Sequence, residues 1–222
     1  MESAWTGPGL RSCDDAAMPA GAEAITTERL ALRAWRPADL PAFAALNADP
    51  RVMEYFPAAL SRGESDRMAA AIERRLLDQG WGLWAVEIPQ VAAFIGFVGL
   101  NPAQETLGYP AVEVGWRLAA EHWGNGYAPE AAIAALAFGF GTLALDEIVS
   151  FTSVGNHRSR RVMEKIAMTR DRSRDFVSPR YPPDSPQRAQ VLYRITRAMF
   201  DATPSARAGA VIGPGLPGGE QR

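Results

Sequence analysis

The stretch VEVGWRLAAEHWGNGYAPEA, residues 112–131, passes from a strand-like segment through a glycine-rich turn into the start of an alanine-rich run. Along 111–118 the apolar Val112, Val114, Trp116 and Leu118 alternate with Glu113 and Arg117, the two-residue period of a strand. Beyond the turn, Ile133, Leu136, Ala137 and Phe140 fall at i, i+3, i+4 and i+7, which predicts a helix within 121–143 with these four on its buried face. Gly124 and Gly126 can take positive φ and let the backbone approach a bulky anion. Pro129 suits a first helical turn, where its missing N–H costs nothing. Free amides at such a terminus, with the helix dipole behind them, favour a phosphate or pyrophosphate. A plain strand-to-helix connection uses the same residue types, so the turn by itself leaves both readings open. Glu130 stands in the same first turn and would repel a phosphate unless its side chain points away.

Working outward, EIVSFTS (147–153) reads as a strand, RSRRVMEKIAM (158–168) as a short basic helix and RAQVLYRIT (188–196) as a last strand. Upstream, RLALRAW (29–35) alternates Leu30, Leu32 and Ala34 with Arg29 and Arg33, as a first strand should. Leu40, Phe43 and Leu46 mark a helix after it. Residues 61–80 form a further helix, with Ser61 as N-cap, Glu64 three residues on and Gly80 as its stop. Two more strands, GLWAVEI (82–88) and FIGFVGL (94–100), precede 111–118. A strand, two helices, a three-strand meander, then helix, strand, helix and strand give an α+β (α/β-like) single domain with a mixed sheet.

Composition narrows the function. The 222 residues hold 47% hydrophobic and 22% charged residues with a net charge of −2, which suits a soluble globular chain and gives no reason to expect nucleic-acid binding. No run approaches the roughly 18 apolar residues that cross a bilayer, and no secretory signal opens the chain. A single cysteine, Cys13, fits a reducing cytoplasm. Residues 1–23 and 201–222 are expected to be disordered, leaving 24–200 as the folded domain; Met18 is an alternative start. A Rossmann fingerprint and a Walker-type phosphate loop are both missing. With His122 and His157 as the two histidines, no metal cluster forms.

Taken together, VEVGWRLAAEHWGNGYAPEA and SFTSVGNHRSRRVMEKIAM, ordered and about 30 residues apart, closely resemble the GNAT superfamily of N-acetyltransferases, most nearly its RimJ/RimL-type branch. The resemblance spans roughly residues 25–197. It implies a mostly antiparallel central sheet with helices on both faces and two parallel strands, 112–118 and 147–153, splayed apart around acetyl-CoA. It further implies that the amides from Gly124 through Asn125, Gly126 and Tyr127 to Ala128, following Trp123, hold the CoA pyrophosphate. Backbone groups near Trp116 and Leu118 would pair with the pantetheine arm, and Asn156 would hydrogen-bond it with Ser159 close by. Arg160, in the basic helix with Arg158, Arg161 and Lys165, is a candidate for the 3′-phosphate, against the plain reading of a solvated charged face. Phe56 and Trp81 fall where this branch builds its acceptor pocket. Two departures stand out: Ala167 replaces a usual glycine, and Met163 replaces a tyrosine that often serves as general acid. A thioether has no proton to give.

Acetyl transfer needs a neutral amine, a polarised carbonyl and a protonated leaving thiolate. Amides of the 112–118 strand can supply the oxyanion contact. Glu113 is the first candidate base, against a structural role in which it pairs with Arg117 on the same face. Ser159 and Tyr193 are candidates to protonate the thiolate; a structural role for each, and for His122 and His157, is the plainer alternative. The acceptor expected is an amine-bearing protein N-terminus or small molecule, with no metal, nucleic acid or membrane partner and a possible homodimer. The competing reading is a non-catalytic acyl-CoA-binding module on the same fold.

Overall fold

Sheet pairing grows outward from the β-meander that the alternation at 82–118 predicts. The protein, a computed structural model, is described for residues 24–204 and for the backbone of 211–213. In chain order its elements are β1 (Ala24–Thr26), β2 (Ala31–Arg33), α1 (Leu40–Ala48), α2 (Pro50–Met53), α3 (Arg62–Gln79), β3 (Leu83–Ile88) and β4 (Ala92–Pro102). Then follow α4 (Gln104–Leu107), β5 (Val112–Leu118), α5 (Tyr127–Gly141), β6 (Glu147–Ser153) and α6 (His157–Lys165). The chain closes with β7 (Thr169–Arg170), β8 (Phe176–Val177), β9 (Ala189–Thr196), α7 (Arg197–Asp201) and β10 (Val211–Gly213). The strands form one mixed sheet in the order β10-β1-β2-β3-β4-β5-β6-β9-β7, with β8 also on β9. Every pairing is antiparallel except β5 with β6, which meet in parallel at Glu113 and Val149. The disorder expected of residues 1–23 and of most of 201–222 lies outside the described residues. Within that tail, Val211–Gly213 runs antiparallel to β1.

Strand parity sorts the side chains onto two faces. One face packs on α5: the Trp84 and Phe138 rings meet edge-on at 5.2 Å, and each such buried ring contributes about 1.5–3 kcal/mol. Gly139 lets α5 sit this close, because an added Cβ would lie 2.6 Å from Ile148 Cδ1. The other face packs on α1 and α3, where Trp35, Phe43 and Phe97 cluster with ring centroids 4.9–6.3 Å apart. α3 starts and stops as its sequence dictates. Ser61 and Glu64 form the reciprocal capping box, and Gly80 ends the helix at φ 73°.

Three expectations are corrected. The buried side of α5 is not the stripe Ile133, Leu136, Ala137, Phe140. Ile133 and Ala137 are only half-buried, while Phe138 and four alanines are buried. Alanine is small enough to bury on any side, so a helix pressed between a sheet and neighbouring helices hides its stripe. In β2, Arg33 does not face solvent: it is 7% exposed and its guanidinium pairs with Asp39 and Glu87, whereas Ala34 is exposed. The basic helix expected over 158–168 is α6, which stops at Lys165, before Ala167 at φ 62°.

Candidate active site

β5 and β6 share a single parallel rung and then part. Ala119 N–H reaches Ile95 O on β4 at 2.9 Å. Backbone groups alternate between the two edges of a strand, so those of Trp116 and Leu118 point toward β6, where no ladder continues. The Leu118 carbonyl on that edge accepts a 2.8 Å bond from Trp123 Nε1, which ties the strand end to the glycine turn.

The turn is held open by two glycines. Gly124 and Gly126 both have φ 81°, and a Cβ at Gly124 would meet nothing within 4 Å. Gly126 is the N-cap of α5 and brings no side-chain cap, so the first-turn amides of this 15-residue helix lack a side-chain acceptor. Asn125 Nδ2 donates to the carbonyls of His122 and Trp123 at 3.2 Å, holding the entry to the turn. Glu130 is turned away. Its carboxylate accepts from Thr27 Oγ1 at 2.6 Å, from the Arg29 amide at 2.9 Å and from Arg29 Nε at 2.7 Å. Burial opposes ionisation there, but these hydrogen bonds outweigh it and hold the carboxyl below its usual range. Arg29 also donates to Asn125 O at 3.0 Å and lies 4.9 Å from the Tyr127 ring centroid. Sequence alternation marked Arg29 only as an outward strand residue. The acidic residue at the fourth helical position was the signal that a cation from elsewhere had to meet it.

At the start of α6, Asn156 Oδ1 accepts from Ser159 N–H at 3.1 Å and Nδ2 donates to Thr152 Oγ1 at 2.9 Å. Arg160 Nη1 donates to Val154 O and its Nε to Tyr193 Oη. Tyr193 Oη in turn donates to Glu164 Oε1 at 3.1 Å. Arg158 pairs with Glu54 and lies 4.7 Å from the Trp123 ring centroid; Arg161 and Lys165 are exposed. Met163 is a core side chain, 1% exposed.

The α1/α3 face of β5 carries Glu113, Gly115 and Arg117. The alternative of a Glu113–Arg117 pair is corrected: four strand residues separate their Cα atoms by about 13 Å, and Arg117 turns instead to Asn47 Oδ1. Glu113 touches solvent only in part, and crowding by protein pushes its carboxyl up to about 8, with Arg180 pulling weakly the other way. Phe56 lies under the Arg117 guanidinium at 4.0 Å. Trp81 is half-buried in the turn before β3, two residues from Leu83. Leu83 lines a cavity of about 130 Å³ with Met68, Ala71, Ile72, Arg75 and Asn101. Asn101 is the cross-strand partner of Glu113. Among the described residues, no group of three or more His, Cys, Asp or Glu could hold a metal ion, and no helix is long and apolar enough to cross a membrane.

Residues 29–169 match the family model described as the acetyltransferase (GNAT) domain. The chain is 33% identical over 145 residues to the uncharacterized protein YkkB of Bacillus subtilis, covering 65% of this chain and 84% of that one. The crystal structure of the acetyltransferase from Agrobacterium tumefaciens str. C58 superimposes with a TM-score of 0.64 at 28% identity, over 84% of this chain and 99% of that one. Spermidine N-acetyltransferase from Vibrio cholerae, solved with CoA and spermine, shares the fold with a TM-score of 0.62 at 22% identity, over 78% and 98% of the two chains.

Proposed function

The chain belongs to the GNAT acetyltransferase family, and we propose that it moves an acetyl group from acetyl-CoA to a primary amine in a ternary complex. The observation that carries this reading is the open edge of β5 at Trp116 and Leu118, running straight into the uncapped N-terminus of α5. An extended arm with amides pairs along such an edge, and a pyrophosphate suits the amides that follow it. Trp116 and Leu118 would hold the pantetheine arm, the turn from Trp123 to Ala128 the pyrophosphate, and Asn156 and Arg160 the flank on α6. Arg29 supports the turn by removing the Glu130 charge from it. Bound there, acetyl-CoA would supply a thioester whose carbonyl carbon takes the amine lone pair as the C–S bond breaks and sulfur leaves as thiolate.

Glu113 receives the proton that the acceptor ammonium sheds before its neutral amine attacks. Its elevated pKa matches a base that must hold a proton near neutral pH and release it again. Amides of β5 donate to the developing oxyanion. The thiolate needs one proton. Ser159 is the favoured donor, because the Tyr193 hydroxyl is engaged with Glu164. Phe56 and Trp81 line the acceptor side. Residues 24–200 act as one cytoplasmic domain, with a homodimer as a further possibility for the assembly.

Calorimetric titration with acetyl-CoA, with NADH as control, is the direct test, followed by thiol release across an amine panel. Micromolar binding with amine-dependent release is expected. Binding without release would favour a non-catalytic acyl-CoA-binding module, and no binding by folded protein would overturn the donor site.

A further inference from the structure

On the α1/α3 face, Arg117 is a cation without a counter-ion. It is 8% exposed, and its Nε is buried with no hydrogen-bond partner. Its surroundings are neutral: Asn47 Oδ1, the Phe56 and Phe97 rings and Met68 Sδ. Asn47 is itself fixed, because its Nδ2 donates to buried Ser65 Oγ at 2.9 Å, which leaves only its oxygen for the guanidinium. Among the described residues no carboxylate lies within ion-pair distance of Arg117 or of Arg180. Taking a guanidinium out of water with only neutral partners is costly, and the usual compensation is an anion.

The strand position beside Arg117 on this face is uncrowded. Between Glu113 and Arg117 the strand carries Gly115, where an added Cβ would meet only Glu113 Oε1, at 3.9 Å. The β8–β9 connection lies over this side: Tyr181 Oη donates to Tyr55 O at 2.9 Å, next to Phe56. The Arg180 charge is felt by both Glu113 and Arg117. Gly115 therefore lies between the Glu113 carboxyl and the Arg117 guanidinium, with the Arg180 charge within reach of both.

We propose that the acceptor is a small amino acid or similar zwitterion, its carboxylate held by Arg117 and Arg180 while its amine faces Glu113. This rests on the acetyl-transfer reading and adds the chemistry of the acceptor to it. A polyamine would set its second ammonium against two guanidinium groups, so a polycation is the wrong shape of charge for this face.

The test measures thiol release from acetyl-CoA with alanine against alaninamide and ethylamine, with β-alanine against its amide, and with spermidine as the polycation, each at a pH where its amine is equally ionised. The acids should win in kcat/KM by about tenfold or more, since a charge-assisted hydrogen bond is worth about 1.5–3 kcal/mol. Arg117→Met should erase the preference through KM of the acids, with acetyl-CoA affinity unchanged by calorimetry. Should Arg117→Met fail to fold, exposed Arg180→Ala still narrows the preference several-fold. Amides, ethylamine or spermidine matching the acids on wild-type protein would overturn the proposal and leave acetyl transfer standing; turnover of none of them with acetyl-CoA bound would overturn it too, and would favour the non-catalytic module. Failure to bind acetyl-CoA would instead remove the transfer reading beneath it.

Discussion

Glu130 and Arg29 are joined side chain to side chain at 2.6 Å across 101 residues of sequence, and the pair sits beneath the glycine turn. An acidic residue in the first turn of a helix normally competes with a bound anion. Here it is withdrawn and used to position the arginine that braces Asn125. Arg29→Met should weaken acetyl-CoA binding by about tenfold, near 1.4 kcal/mol, with the loss growing at low ionic strength. Adding Glu130→Gln to that variant should recover most of it. Calorimetry at two salt concentrations checks both, and an equal loss in the double variant would mean that Arg29 acts on its own.

Gly126→Val places a β-branched residue at φ 81°, with its Cβ about 3.4 Å from Arg29 Nη2. The turn must change shape to accept it. Acetyl-CoA affinity should drop by about a hundredfold or more while the melting temperature moves by only a few degrees. Unchanged affinity would count against the turn as the pyrophosphate site.

Glu113 ties activity to pH. Its carboxyl starts from 4.5 in an unfolded chain and is pushed up to about 8 in the folded one, so between these values the folded state holds the extra proton. The stability this confers is complete below about 4.5 and drains away as pH rises toward 8. Glu113→Gln should therefore melt progressively higher relative to wild type between pH 5 and 9. It should also lose the rise in kcat/KM centred near 8 and slow turnover by about a hundredfold or more. A pH-independent difference in melting temperature would show that the carboxyl is not desolvated.

Tyr193→Phe removes a hydroxyl bonded to Glu164 and Arg160 and should cost about 1 kcal/mol of stability with turnover nearly intact. Ser159→Ala should slow turnover more than it destabilises. Parallel thermal melts and thiol-release rates distinguish the two, and the reverse pattern would make Tyr193 the proton donor.

Ala167 occupies the left-handed region that glycine takes without strain. Ala167→Gly should stabilise the fold by about 1 kcal/mol, or roughly 2–4 °C in melting temperature for a chain of this size. A calorimetric scan decides it.

What the sequence disclosed depended on how locally each signal is written. α3 is encoded end to end by Ser61, Glu64 and Gly80, all acting within one turn of its ends. The meander followed from alternation, and the family membership from two ordered motifs. Arg29, Asn47 and Arg117 escaped because their roles are created by partners 18 to 101 residues away, whom no local pattern announces. Arg33 misled because strand parity assigns a face but cannot tell a solvated arginine from one neutralised by Asp39 and Glu87. The short strands β1, β7 and β8, of two or three residues each, carry too few side chains to show a period.

The single rung between Glu113 and Val149 leaves the sheet with one vacant lane. To its one side lies the meander, to its other the β6–β9 pair, and among the described residues no strand runs between them. On the proposed reading the donor becomes a removable strand, so the protein completes its own architecture only while holding the molecule it is about to consume.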